Sequence, residues 1–114
     1  MRLKSEIWVQ AYIRRCQIEG VPAVLTRRGD GDAGAIFIKI CMLDGRVKLF
    51  TPAPSGLDAM DSERRWSVGF EGDSIGEQEA DETIGRHAKF DPDLWVIEVE
   101  DRAGRHFLDG WLAG

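Results

Sequence analysis

Residues 35–50, AIFIKICMLDGRVKLF, decide the fold. Over 35–43 the pattern has a period of two, with Ile36, Ile38, Ile40 and Met42 on one face and Phe37, Lys39 and Cys41 on the other. That is the alternation of a β-strand. Asp44-Gly45 follows, a strong short hairpin signal because both central residues of a type I′ turn need positive φ. Residues 46–50 are then the return strand, and the chain is organised around an antiparallel hairpin.

Upstream, residues 23–27 form a candidate strand, which makes a meander of three strands with the hairpin. Before it, Trp8, Val9, Tyr12, Ile13 and Cys16 recur at three- and four-residue spacing, so a helix is expected over 5–19. Ser5 is its expected N-cap, and Gly20-Val21-Pro22 its stop, since glycine takes the left-handed C′ position and proline cannot continue the helix. Downstream, Pro52, Pro54 and Gly56 exclude a helix or a central strand over 51–63, the segment where a mobile surface loop is expected. Residues 64–70 alternate again, with Trp66, Val68 and Phe70 on one side.

Ser74 and Glu77 match a capping box, so a second helix is expected over 75–87, with a thin apolar face of Ala80, Thr83 and Ile84 helped by His87. Phe90-Asp91-Pro92-Asp93 ends it. LWVIEVE, residues 94–100, is a strand, 102–105 a turn, and 106–108 a short final strand. The predicted fold class is α+β: one domain over residues 1–114, with an antiparallel or mixed sheet of five to six strands and two helices packed on one face.

Composition narrows the function. A net charge of -5 argues against sequence-independent nucleic-acid binding, which needs a basic face. The N-terminus has charges on both sides of a very short apolar stretch, which fits neither a signal peptide nor a membrane span. The two cysteines, Cys16 and Cys41, lie within apolar periodic segments and suit a reducing compartment. A soluble, cytoplasmic protein is expected, with no membrane association and no cofactor.

Residues 28–34, RGDGDAG, concentrate the candidate binding groups. Alternate carboxylates at Asp30 and Asp32 on a turning backbone resemble the first half of a calcium loop, but the twelfth position is Cys41, where a bidentate glutamate is required. Asp30 and Asp32 are thus the candidate metal ligands, with Arg28 available to an anionic group. The competing reading is a turn, in which the glycines supply positive φ and the aspartates form Asx-turns. Asp91 and Asp93, flanking Pro92, divide between the same two readings.

Nucleophilic chemistry has few residues to draw on. His87 and His106 are the only histidines, and there is no Gly-x-Ser-x-Gly, His-Glu-x-x-His or Cys-x-x-Cys motif. His106 with Asp109 could make a base and its orienter, or a half-buried strand histidine. The arginine pairs Arg14/Arg15, Arg27/Arg28 and Arg64/Arg65 offer a basic patch or solvated charge. Six acidic residues and no basic one lie over 71–82, a run that complements a helix N-terminus and equally suits a basic partner. Trp8, Trp66 and Trp95 fit apolar faces as core anchors, and Trp111 either docks back or marks a surface for self-association.

Taken together, Arg2-Leu3-Lys4 with Trp8 and Tyr12-Ile13-Arg14-Arg15, Arg27-Arg28-Gly29-Asp30 with Asp32-Ala33-Gly34-Ala35, Leu43-Asp44-Gly45, and Phe90-Asp91-Pro92-Asp93-Leu94-Trp95 leading to Glu98, Glu100-Asp101 and Gly104-Arg105 give the chain a family likeness. It resembles the alphaproteobacterial domain of unknown function 1491 family over nearly its whole length. The resemblance implies a one-domain soluble bacterial protein and carries no established activity. Function is therefore expected to be that of a non-enzymatic interaction or regulatory module, acting through a protein partner or a homo-oligomer. The alternative is a small-ligand or cation-dependent phosphate site, with or without catalysis, at the Arg28 to Gly34 loop.

Overall fold

The computed structural model describes residues 3–53, 64–68 and 74–112. The chain runs α1 (Ser5–Ile18), β1 (Ala23–Arg27), β2 (Ile36–Cys41), β3 (Arg46–Pro52), β4 (Trp66–Val68), β5 (Ile75–Gly76), α2 (Glu77–Phe90) and β6 (Trp95–Glu100). Among the described residues, six strands form one open mixed sheet in the order β1-β6-β2-β3-β4, with β5 also on β3. β6 runs parallel to β2, from Ile36 opposite Trp95 to Cys41 opposite Glu100, and antiparallel to β1. The fold class is α+β, as the sequence indicates.

The expected three-strand meander is corrected by β6, which enters between β1 and β2. Side-chain character explains the placement. β2 is buried along its whole length, and β6 buries every residue except Glu98 and Glu100. Strands apolar on both faces belong in the middle of a sheet. β1 leaves Val24 and Leu25 exposed, and carries a register shift between Leu25 and Arg27; both suit an edge.

The same two-faced burial corrects the placement of the helices, which lie on opposite faces of the sheet. Trp8, Val9, Tyr12 and Cys16 of α1 pack with Ile36, Ile38, Ile40, Trp95, Ile97 and Val99 in the main core. On the other side Phe37, Leu94 and Val96 meet Ile84 and Ala88 of α2, and Cys41 and Val47 meet Ala80. Each apolar face of β2 needs its own cover, so one helix on each side buries what two on one side would leave in water.

Local signals shifted where tertiary partners outcompeted them. Ser5 is the first residue of α1 and not its cap; Lys4 holds the cap position without a side-chain bond. The Ser74 and Glu77 capping box does not form: Ile75 and Gly76 pair with β3, Gly76 is the cap, and the Glu77 carboxylate turns to Lys39. α2 continues three residues past His87, to Phe90. The β2–β3 turn is not the two-residue type I′. Met42 N–H donates to the Arg46 carbonyl at 3.0 Å across a three-residue loop in which Leu43 (φ 65°) and Gly45 (φ 87°), not Asp44, take positive φ.

Residues 106–108 are not a strand. Phe107 has φ 54°, which breaks extended backbone, and Leu108 drops fully buried into the main core. The tail then docks back. The Trp66 N–H donates to the Trp111 carbonyl at 2.8 Å, and the Trp111 ring lies 5.6 Å from Trp8 and 6.5 Å from Trp66. Trp8, Trp66 and Trp95 are core residues, as expected. Residues 69 and 70 of the fourth expected strand, residues 54–63 of the expected mobile loop, and Glu71 and Asp73 of the acidic run lie outside the described residues. Among the described residues, no helix is long and apolar enough to cross a membrane.

Candidate binding cleft

The 28–34 loop bridges the first turn of α1 to the segment before β6. Ser5 and Glu6 donate their backbone N–H groups to the carbonyls of Asp32 and Gly31, at 3.1 and 3.0 Å. Two of the donors left over at a helix start are thus satisfied without a capping side chain. Asp30 N–H donates to the Asp93 carbonyl at 2.9 Å, and the Trp95 indole donates to the Asp30 carbonyl at 2.7 Å. Gly29 and Gly34 lie so close to the Asp93 carbonyl that neither has room for a Cβ. Gly29, Gly31 and Gly34 do not take the expected positive φ; Gly29 and Gly34 instead permit close approach of backbone to backbone.

Of the sequence-predicted site residues, the structure brings together Asp30, Asp91 and Asp93, which line a cleft of about 240 Å³ with Ala33, Gly34 and Ala35. Each of the first two carboxylates already accepts from its own turn. Asp30 takes the N–H groups of Asp32 and Ala33 at 3.2 and 2.9 Å, and Asp91 takes that of Asp93 at 3.1 Å. Arg28 and Asp32 point elsewhere. Arg28 pairs with Glu6 at 2.9 Å and stacks over Trp95, while Asp32 meets Lys4 at 3.6 Å.

A second constellation, under α2, escaped the sequence reading. Lys39 stands at the centre of β2 with 5% of its side-chain surface open, and its ammonium lies 2.9 Å from Asp81, 3.3 Å from Glu77 and 3.7 Å from Glu98. Glu77 and Asp81 are four apart on α2 and so share a face. Glu98 is directly opposite Lys39 in the parallel β2–β6 register. Burial alone would push the Lys39 ammonium down, but the hydrogen bond to Asp81 and the charges of Glu98 and Asp81 outweigh it and hold the group above the ordinary lysine value. Lys39 is charged throughout the physiological range.

These groups form one end of a cleft of about 390 Å³ between α2 and the β1/β6 side of the sheet. Its middle is walled by Ile84, Gly85, Ala88 and Val96, and Thr26 and Arg27 also line it. Glu77 and Asp81 keep 54% and 59% of their side-chain surfaces open, Glu98 29%. At this end three carboxylates stand against one ammonium, and with Arg27 on the far wall the cleft lining keeps one formal negative charge.

Cys41 lies beside this group, its thiol donating to Glu98 at 3.7 Å. Among the described residues, Cys41, Glu77 and Glu98 are the group of three whose ligand atoms come within 4.8 Å of one another. They are donors a divalent metal would use, yet the Lys39 ammonium already stands as the cation against two of them. Burial pushes the Cys41 thiol up to about 12, Lys39 only partly opposing, so at neutral pH it is a protonated, weakly nucleophilic group.

His106 is half-buried; its Nδ1 accepts the Leu108 N–H at 2.9 Å, and burial lowers its pKa, with Asp109 partly opposing. That bond keeps Nδ1 unprotonated, so Asp109 cannot orient the ring through an Nδ1–H. The arginine pairs do not merge. Arg64 is buried on Leu3 and Ser5, Arg65 holds the Gly110 carbonyl, Arg27 the Pro92 carbonyl, and Arg15 pairs with Glu19.

The sequence does carry a signal for the Lys39 cluster. Lys39 is the one charge in IFIKIC, and Glu98 the one interior charge in WVIEVE. Opposite lone charges inside the two most apolar strands are expected to meet, because neither can be buried alone.

Residues 3–109 match the model of a protein family of unknown function, DUF1491. The chain is similar to a DUF1491 family protein from Caulobacter crescentus solved by crystallography, at 36% identity and TM-score 0.81, each chain covered over 100% of its length. A DUF1491 family protein from the same organism, solved by NMR, is 39% identical with TM-score 0.81, over 100% of this chain and 99% of that one. The solution structure of a protein from A. tumefaciens is 40% identical with TM-score 0.76, over 88% of this chain and 86% of that one. No curated protein matches. With the family model spanning nearly the whole sequence and the fold shared end to end, the chain belongs to the DUF1491 family of proteins of unknown function.

Proposed function

We propose that the protein is a non-enzymatic interaction module whose binding surface is the cleft between α2 and the sheet, and that its partner presents a basic group. One observation carries this reading: Glu77, Asp81 and Glu98 converge on a single buried lysine, with two of the three more than half open to solvent. Lys39 fixes the carboxylates in place without neutralising them, so an incoming ammonium or guanidinium meets acceptors whose positions are already set. A cytoplasmic setting suits the two buried, unpaired thiols.

The test is an amide-resolved NMR titration with tetralysine, at low and high salt, on the parent and on Glu77→Gln/Asp81→Asn. Shifts confined to residues lining the cleft, diminished by salt and lost in the variant, are the expected result. No shift at millimolar peptide would end this reading.

A second reading keeps the 28–34 loop as a cation-dependent phosphate site, favoured by the meeting of Asp30, Asp91 and Asp93 in one cleft. A thermal-shift comparison of the parent with Asp30→Asn, in magnesium or calcium with and without inorganic phosphate, tests it. A ligand at about a hundred times its dissociation constant adds about 2.7 kcal/mol, a rise of several degrees. No rise in the parent removes this reading.

A further inference from the structure

On the face of the molecule that α1 covers, Trp8, Tyr12, Phe107 and Trp111, with Leu3, Ala11 and Arg15, line a small, almost wholly apolar pocket of about 160 Å³. Its walls are fixed by one another. Trp8 stacks on Tyr12 at 5.1 Å, Trp111 meets Trp8 edge-on at 5.6 Å, and the Tyr12 hydroxyl donates to the His106 carbonyl at 2.6 Å. A cavity of about 150 Å³ lined by apolar side chains is the size that takes up one benzene. The pocket therefore fits a single phenyl ring, and Arg15 at its edge, over the Phe107 ring at 5.4 Å, shares its exposed guanidinium with Glu19 through Nε and still favours a ring that arrives with a carboxylate beside it.

The chain carries such a ring. Phe90, the last residue of α2, is 91% exposed, whereas Phe37 and Phe50 are buried. It is followed by Asp91-Pro92-Asp93, so residues 89–93, with Lys89, have a net charge of -1. Phe90 cannot reach the pocket of its own chain, because α1 and α2 lie on opposite faces of the sheet.

We propose that the protein associates head to tail, Phe90 of one copy entering the Trp8–Trp111 pocket of the next. Each copy then offers one ring and one pocket, on different faces, so the contact is heterologous and extends into open chains or closes into rings. A contact centred on one side chain falls well below the area of a stable dimer. The association belongs to the high-micromolar to millimolar range, and loss of the ring weakens it by about 10- to 100-fold.

Complementation tests the proposal. Phe90→Ala removes the ring and keeps the pocket; Ala11→Phe fills the pocket from α1 and keeps the ring. Sedimentation from about 10 μM to about 1 mM is expected to show the parent growing in mass with concentration and each variant monomeric. An equimolar mixture of the two variants should give dimers and nothing larger. A parent that stays monomeric throughout, variants that associate like the parent, or a mixture without dimers each overturns it. The acetylated and amidated peptide of residues 89–93 supplies the second measurement, through the indole N–H signals of Trp8 and Trp111. Shifts there, with a self-associating parent, support the second copy as occupant; shifts with a monomeric parent overturn it and give the pocket to an aromatic residue of another protein.

Discussion

Lys39→Met isolates the buried cluster. The substitution keeps most of the stem volume on β2 and removes the ammonium that three carboxylates share. Deleting one partner of a fully buried ion pair costs about 3–5 kcal/mol, because the other is left charged in a poor solvent. Here that figure is an upper limit. Glu77 and Asp81 are more than half exposed and rehydrate, so their share is that of surface pairs, about 0–1 kcal/mol each. Glu98 is less open and, among the described residues, keeps the Cys41 thiol as its donor neighbour. Gain from burying a thioether in place of a desolvated ammonium offsets part of the loss. The expected net cost is about 2 kcal/mol, or about 10 °C in Tm for a domain of this size.

Denaturant unfolding followed by tryptophan fluorescence measures it, and Lys39→Met/Glu98→Gln should recover at least half the loss by removing the stranded charge. The pH dependence has a definite sign. A lysine raised above its unfolded value contributes fully below about pH 10 and loses the contribution as pH rises through the folded value. The deficit of the variant should therefore be flat on the lysine side from neutral pH to about pH 10. Affinity for tetralysine should move the other way from stability and rise, because the unit of negative charge gained by the cleft outweighs the loss of fixed carboxylate positions. A variant as stable as the parent, or one whose stability falls without any gain in cation binding, would refute the reasoning.

Other perturbations have equally definite outcomes. Gly34→Ala drives a methyl onto the Asp93 carbonyl and is expected to cost about 1–3 kcal/mol or more in denaturant unfolding, whereas Gly45→Ala meets no neighbouring atom and strains only its positive φ. Ser5→Ala removes a hydroxyl that donates to the Gly34 carbonyl at 2.6 Å and accepts from Arg64 at 2.8 Å, with an expected loss of about 1–3 kcal/mol. Asp101 has its pKa lowered, chiefly by the Arg105 side chain; its contribution is present above the unfolded carboxylate value of about 4 and lost as pH falls through the folded one. Asp101→Asn should therefore cost about 1 kcal/mol at neutral pH and flatten the acid limb of the stability curve. Cys41 and Cys16, buried and with raised pKa values, should resist a thiol reagent at neutral pH and react fully only in denaturant.

What the sequence revealed and what it concealed follows from how far apart the deciding residues lie. α1, β2, β3 and β6 were legible because their periodicity is local, and so was the Asx-turn character of Asp30 and Asp91. The strand order was not, because nothing near β1 or β2 announces that residues 95–100 will separate them. The helix faces followed from the same cause: Phe37 and Cys41 on the second face of β2 signal a second cover, but only the sheet shows that α2 supplies it. Ser74-Glu77 failed as a cap because β3 offered Ile75 a ladder and Lys39 offered Glu77 a charge, both stronger than a local bond. Lys39 itself read as an ordinary polar position, since its three partners come from two segments 38 to 59 residues further on.

The central position of β6 orders events during synthesis. A ribosome delivers β1, β2 and β3 long before residues 95–100, so the growing chain holds a β2–β3 hairpin with one bare flank and a β1 with nothing to pair. Pairing β1 directly with β2 is the tempting error, and it must be undone before β6 can enter. The loop of 28–34 works against that error through the carbonyls of Gly31 and Asp32, which the start of α1 takes up, and Asp93 and Trp95 close its turn only once they arrive. The segment that completes the turn is the segment that fills the gap. Completion of the sheet therefore waits on a single strand, and a chain cut before Trp95 is expected to leave β1 and the free flank of β2 without their partner.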